Sequence, residues 1–166
     1  MYPPKPVMIR EGDSLHQEAV DSPLWVAEPK LDGHRTIYRD GRLWTRNKRP
    51  LGSSFKTAAI LSGLAAIPDG VVLDGELMQP YSSRPVYHIF DIPTVRGALE
   101  SRRLILERLP VCYPVKIMRR IDKVTAIEHA LHRGWEGVVY KRIDSVYRWQ
   151  SSSLDCQVHS WRKIRL

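Results

Sequence analysis

The sequence predicts a mixed α+β domain, antiparallel in part, and three observations carry that prediction. Segments of strand character outnumber helical ones, one pair of them is joined by a tight hairpin, and the two kinds do not alternate as a regular βαβ repeat requires. Taken in order, Pro3, Pro4 and Pro6 make residues 1–6 an extended, frayed lead-in. Residues 24–30 (LWVAEPK) read as a short strand. A hairpin follows, residues 35–39 and 42–46 about the Asp40-Gly41 turn, since Asp-Gly tolerates the positive φ that a two-residue hairpin loop needs. Residues 55–66 suit a helix that ends before Pro68, and residues 71–78 and 86–92 suit strands. A second helix is expected over 98–109, with Leu99, Ile105, Leu106 and Leu109 on one face. A third is expected over 122–133, with Asp122 as N-cap, Val124, Ile127 and Leu131 as its stripe, and Gly134 as its stop. Residues 137–141 and 159–165 close the chain as strands, and the polar, aperiodic stretch 144–157 reads as a long loop.

The 166 residues suggest one domain spanning 1–166. A hydrophobic content of 43% supplies a core, so general disorder is excluded. No apolar run approaches the ~18 residues that cross a membrane, and the N-terminus lacks a signal-peptide core. A cytoplasmic protein with no membrane partner is expected. Cys112 and Cys156 fall in no CxxC or CxxH pattern, so two reduced thiols are expected. Lys and Arg exceed Asp and Glu by 26 to 18, a net charge of +8 that favours association with polyanions without naming one.

The residues able to carry chemistry sit at strand ends. Lys30, in Glu28-Pro29-Lys30-Leu31-Asp32-Gly33-His34-Arg35, is either exposed before a turn or, facing inward, paired or neutral and reactive. Asp74 and Glu76 follow an apolar run, and Glu136 precedes one. Each of these elements alone is compatible with a solvated strand end. Their order is more informative: KLDGHR (30–35), TRN (45–47), LDGEL (73–77), FDI (90–92), EGVVYK (136–141) and WRKIR (161–165).

That ordered set resembles the ATP-dependent DNA ligases, within the covalent nucleotidyltransferase superfamily that also holds RNA ligases and mRNA capping enzymes. The resemblance runs from about residue 7 to 166. It implies an antiparallel-sheet-rich, ATP-grasp-like nucleotidyltransferase (adenylation) domain, with ATP and Mg²⁺ as cofactors and nicked duplex DNA as partner. Lys30 matches the nucleophile that takes AMP from ATP; an amine must be deprotonated to attack, and a free lysine has a pKa near ~10.4. Lys163 and Arg165 match the two basic positions of the Trp-x-Lys-x-Lys element, with arginine replacing the second lysine. Strand alternation puts both on one face, where they would stabilise charge on the α-phosphate. Glu76 and Glu136 match the family's metal-associated glutamates, and Glu76 also its ribose contact. Phe90 matches the aromatic that stacks on adenine, and Lys141 the lysine that closes on the base or phosphates. Glu28, together with Leu31, falls where the family holds the nucleotide, Glu28 at the adenine amino group. Arg35, Arg46 and Asn47 match positions that meet the ribose or the 5′-phosphate of the nick.

The chain ends at Leu166, where such ligases ordinarily continue into an OB-fold. No OB-fold is expected in this chain; a separate or deleted one would complete the enzyme, which is expected to be a monomer. The short upstream region favours ATP over NAD. Two alternatives remain: an RNA ligase or GTP-using capping-type enzyme with the same pocket, and a non-catalytic nucleic-acid-binding module. Of the other candidates, His129 and His132 read as solvated and Arg102, Arg103 and Arg108 as a solvated helix face. Arg119-Arg120 and Tyr147-Arg148-Trp149 mix charge and aromatics as nucleic-acid surfaces do.

Overall fold

The computed structural model describes residues 2–150 and 157–166. Part of the expected loop 144–157 lies outside the described residues, and so does Cys156. The described chain is a mixed α+β structure in which antiparallel strand pairs predominate. It divides into two compact units, Met1–Asp32 with Arg119–Leu166, and Gly33–Met118.

The first unit is built on β1 (Lys5–Met8), β2 (Trp25–Lys30), β8 (Gly137–Arg142) and β9 (Gln157–Arg165), in the order β1-β9-β8-β2. Its helices are α1 (Ser14–Asp21) and α4 (Ala126–Arg133). Alternation puts Trp25, Ala27, Val138, Tyr140 and Ile164 on one face, in a core with Ala19, Ala126 and Ala130. Burial there pushes the Tyr140 phenol up to about 12. Two details differ from expectation. The N-terminal segment is tied down: β1 runs parallel to β9, and Tyr2 exchanges backbone hydrogen bonds with Gln150. Pro6 fits because β1 is an edge strand, where a missing N–H can point away from the ladder, and Pro3 and Pro4 precede the strand. In α4 the packed positions are Ala126, Ala130 and, partly buried, the expected Ile127, while Leu131 and, just ahead of the helix, Val124 are 65% and 71% exposed. Asp122 organises the turn before the helix, accepting from the Thr125 and Val124 N–H groups (2.9 and 3.0 Å), and the helix itself starts at Ala126. Gly134 ends it in the left-handed conformation (φ 64°).

The second unit is built on β3 (His34–Arg39), β4 (Arg42–Thr45), β5 (Leu73–Met78), β6 (Val86–Asp91) and β7 (Val115–Ile117), in the order β4-β3-β5-β6-β7. Asp40 and Gly41 make the β3–β4 turn, both at positive φ (51° and 70°). Tyr38, Leu43, Leu73, Leu77, Tyr87, Ile89 and Val115 form the core face, packed with Ile60 and Leu64 from around α2 (Ala58–Gly63) and Leu106 of α3 (Leu99–Leu106). α3 corrects the solvated arginine face. Arg102 is 1% exposed, holds both oxygens of Asp91 (2.6 and 2.9 Å) and donates to the Gly97 carbonyl (2.7 Å). Arg103, also buried, donates to the Met118 carbonyl (2.6 Å) and to Glu107 (2.6 Å). Ile105, expected on the packed face, is exposed, and Arg108 alone of the three arginines faces solvent. The buried Asp91 at the end of β6 demands a cation, and that demand turns the helix.

Candidate active site

In the first unit, the sheet face opposite the core gathers most of the candidates. Antiparallel registers align three rows: Val26, Lys141 and Trp161; Glu28, Val139 and Lys163; Lys30, Gly137 and Arg165. Lys30 ends β2 and is half-buried; its Nζ donates to Glu136, which also accepts from Arg165. Burial raises the Glu136 carboxyl, but hydrogen bonds and charge from Lys30 and then Arg165 outweigh it, holding the group below the usual range.

Gly137 makes room for this arrangement. Its φ is 152°, and a Cβ there would lie 2.0 Å from the Ile164 carbonyl oxygen, so β8 and β9 approach as closely as they do only because the residue is glycine. Two rows away Lys141, buried on all sides, donates to Glu28 (2.6 Å) and lies 4.5 Å from the Trp161 ring centroid. Lys163 is half-buried in the row between. Leu31 is half-buried just past β2. Trp161 is a contact the motif reading did not assign; its place at i−2 from Lys163 on an alternating strand was the signal.

In the second unit, the face opposite the core carries Arg35, Asp74, Glu76, His88 and Phe90. Arg35 holds Asp74 through two bonds (3.0 and 2.5 Å) and lies 5.3 Å from the Phe90 ring centroid. Glu76 pairs in register with Arg35 on one side and His88 on the other. Burial, with Lys116 adding to it, holds His88 below its ordinary value. Asp74, fully buried, was not among the assigned residues although it sits inside LDGEL; strand parity, which puts it on the same face as Glu76, was the signal. Arg46 and Asn47 are exposed in the turn after β4, which Lys48 closes at positive φ. Among the described residues, no three His, Cys, Asp or Glu side chains converge as a metal cluster. Cys112 is a free, exposed thiol, and His129 and His132 are exposed.

No protein-family model and no curated protein matches the chain. Solved structures do. The ligase domain of M. tuberculosis LigD superposes with TM-score 0.69 at 24% identity, over 96% of this chain and 59% of that one. Mycobacterial DNA ligase D complexed with ATP and MES gives 0.71 at 23%, over 96% and 60%. The ATP-dependent DNA ligase from bacteriophage T7, in complex with ATP, gives 0.66 at 16%, over 98% and 68%. The chain thus spans about six-tenths of the length of the first two. At these identities what is shared is the fold, and the fold of this chain is that of the catalytic nucleotidyltransferase domain of ATP-dependent DNA ligases.

Proposed function

We propose that residues 1–166 act as one adenylation domain, the catalytic core of an ATP-dependent DNA ligase. The observation that carries this reading is the grouping of Lys30, Glu136 and Arg165, with Lys163 one row away, at the sheet face opposite the hydrophobic core. In the first step the Lys30 Nζ lone pair attacks the α-phosphorus of ATP. An N–P bond forms, the P–O bond to pyrophosphate breaks, and a proton leaves the amine. Lys30 must give up both that proton and its contact with Glu136 to react. Lys163 and Arg165 supply fixed positive charge where the α-phosphate becomes more anionic. AMP then passes from lysyl-AMP to the 5′-phosphate of a nick. The 3′-hydroxyl attacks that phosphate, expels AMP and seals the strand.

Glu28, Leu31, Arg35, Glu76, Phe90 and Lys141 are assigned to the nucleotide, and Arg35, Arg46 and Asn47 to the nick. Bound Mg²⁺ would neutralise phosphate charge during the transfer. Glu76 and Glu136 are each proposed as a carboxylate for it, and an isolated carboxylate suits an ion that takes one or two of them and fills its shell with phosphate and water. The protein is proposed to be cytoplasmic and monomeric; no helix among the described residues is long and apolar enough to cross a membrane.

The test is incubation with α-labelled ATP or GTP and Mg²⁺, then denaturing separation. Acid-labile, hydroxylamine-sensitive label would exclude no lysine by itself, so the decisive arm is Lys30→Ala. Label from ATP that disappears in this variant is expected. Label retained without Lys30, or taken from GTP in preference, overturns the assignment.

A further inference from the structure

The second unit carries an aromatic cluster that the nucleotide site does not use. Phe55 is half-buried against the core, and the Tyr81 ring lies over it at 4.9 Å between centroids, tilted by 37°. His34 stands edge-on to both, at 5.7 and 6.0 Å. Tyr81 is 59% exposed and His34 is exposed, so the cluster presents ring surface to solvent. A core role explains Phe55 and leaves Tyr81 and His34 unexplained.

The supporting segments are tied together and charged with one sign. The Lys56 N–H donates to the Pro80 carbonyl (2.8 Å), joining the stretch that carries Phe55 to the one that carries Tyr81. Residues 42–57 and 79–85 contain Arg42, Arg46, Lys48, Arg49, Lys56 and Arg84, with no Asp or Glu. Exposed rings bordered by cations complement a polyanion that also has aromatic faces. A duplex keeps its bases stacked inside; an unpaired strand offers them.

We propose that His34, Phe55 and Tyr81 form a stacking platform for an unpaired base of single-stranded DNA, such as the strand adjoining a break. Phe55 fixes the platform, Tyr81 and His34 meet the base, and Lys56 and Arg84 meet its phosphates. The choice of DNA rests on the ligase reading, whereas the platform is tested by binding alone.

The experiment titrates a labelled oligo-dT of about twelve nucleotides, and a blunt duplex of equal length, into the full chain and its variants. An oligonucleotide with one 2-aminopurine reports stacking by quenching. Tyr81→Ala is expected to weaken oligo-dT binding roughly tenfold and to lose the quench, with duplex binding changed less than about twofold. Tyr81→Phe should restore both. Lys56→Gln and Arg84→Gln should each flatten the salt dependence by about 0.7 in slope. The platform is overturned if wild-type protein does not bind oligo-dT, if Tyr81→Ala binds it normally, or if both substrates weaken equally. ATP labelling in parallel separates the two readings: absent labelling in the wild type counts against nucleotidyl transfer, while oligo-dT binding still decides the platform.

Discussion

The two units meet one design problem with different placements of charge. Each is a sheet with an apolar face under helices and a polar face opposite. In the first unit, the side chains of the polar face include four cations, Lys30, Lys141, Lys163 and Arg165, near two carboxylates, Glu28 and Glu136. In the second, Arg35 is flanked by Asp74 and Glu76. Depth also varies from pair to pair. Arg102 and Asp91 are sealed on the helix side of the second unit, and Lys141 and Glu28 are sealed on the polar face of the first, whereas Arg162 in the first reaches Glu18, the Leu15 carbonyl and the Trp25 ring near the surface. Depth separates a pair that holds a helix in place from pairs such as Lys30–Glu136, which retain access to solvent and can exchange partners.

Substitutions can break that comparison, the most drastic first. Gly137→Ala is expected to destroy the β8–β9 pairing, since the added carbon meets backbone rather than a movable side chain. Solubly expressed protein with unchanged thermal unfolding would refute this account of the close approach. Asp91→Ala should cost about 3–5 kcal/mol in urea unfolding, because it strands a buried guanidinium. Glu28→Ala should cost less, about 2–3 kcal/mol, because Lys141 keeps its cation–π contact with Trp161. Equal losses would show that Trp161 contributes nothing. Under the proposed function, Lys163→Ala should slow label transfer from ATP about 10²–10³-fold without unfolding the chain, as for the loss of one charge that stabilises a transition state.

The smallest effect is pH-dependent and distinguishes the units. His88 is depressed in the folded state, so the unfolded chain binds more protons and stability falls as pH drops below about 6.5. Glu136 is depressed too, but its contribution persists above about 4.3 and is lost only as pH falls through its folded value. Between about pH 7 and 5, amide protection, taken relative to the intrinsic exchange rate at each pH, should therefore fall in β6 and β7 while β2 and β8 hold. His88→Gln should remove the difference. A parallel fall in both sheets would mean that His88 is not its source.

Much of this was legible in the chain itself. The Asp40-Gly41 hairpin, the strands around 25–30, 73–78 and 137–142, and the glycine stop at 134 follow from local rules of φ and periodicity. The motif order marked Lys30, Glu136 and Lys163 before any contact was known, and alternation placed Lys163 and Arg165 on one face. Other features escaped because they depend on partners distant in sequence. Arg102 looks like a surface residue until Asp91, eleven positions earlier, is buried beneath it. The proline-rich start looks frayed until β9 offers it an edge. The packed face of α4 combines Ile127 with two alanines, and hydrophobicity alone favoured the larger Val124 and Leu131, which remain outside.

Tertiary structure likewise decided that Lys30 meets Glu136 and Lys141 meets Glu28, rather than each remaining a solvated strand end. The sequence by itself determined which strands form and which face of each strand its ionisable side chains share, because backbone preferences and alternation are local. Only the fold decided which charges are buried, which are paired and which face solvent, because desolvation depends on everything packed around a group.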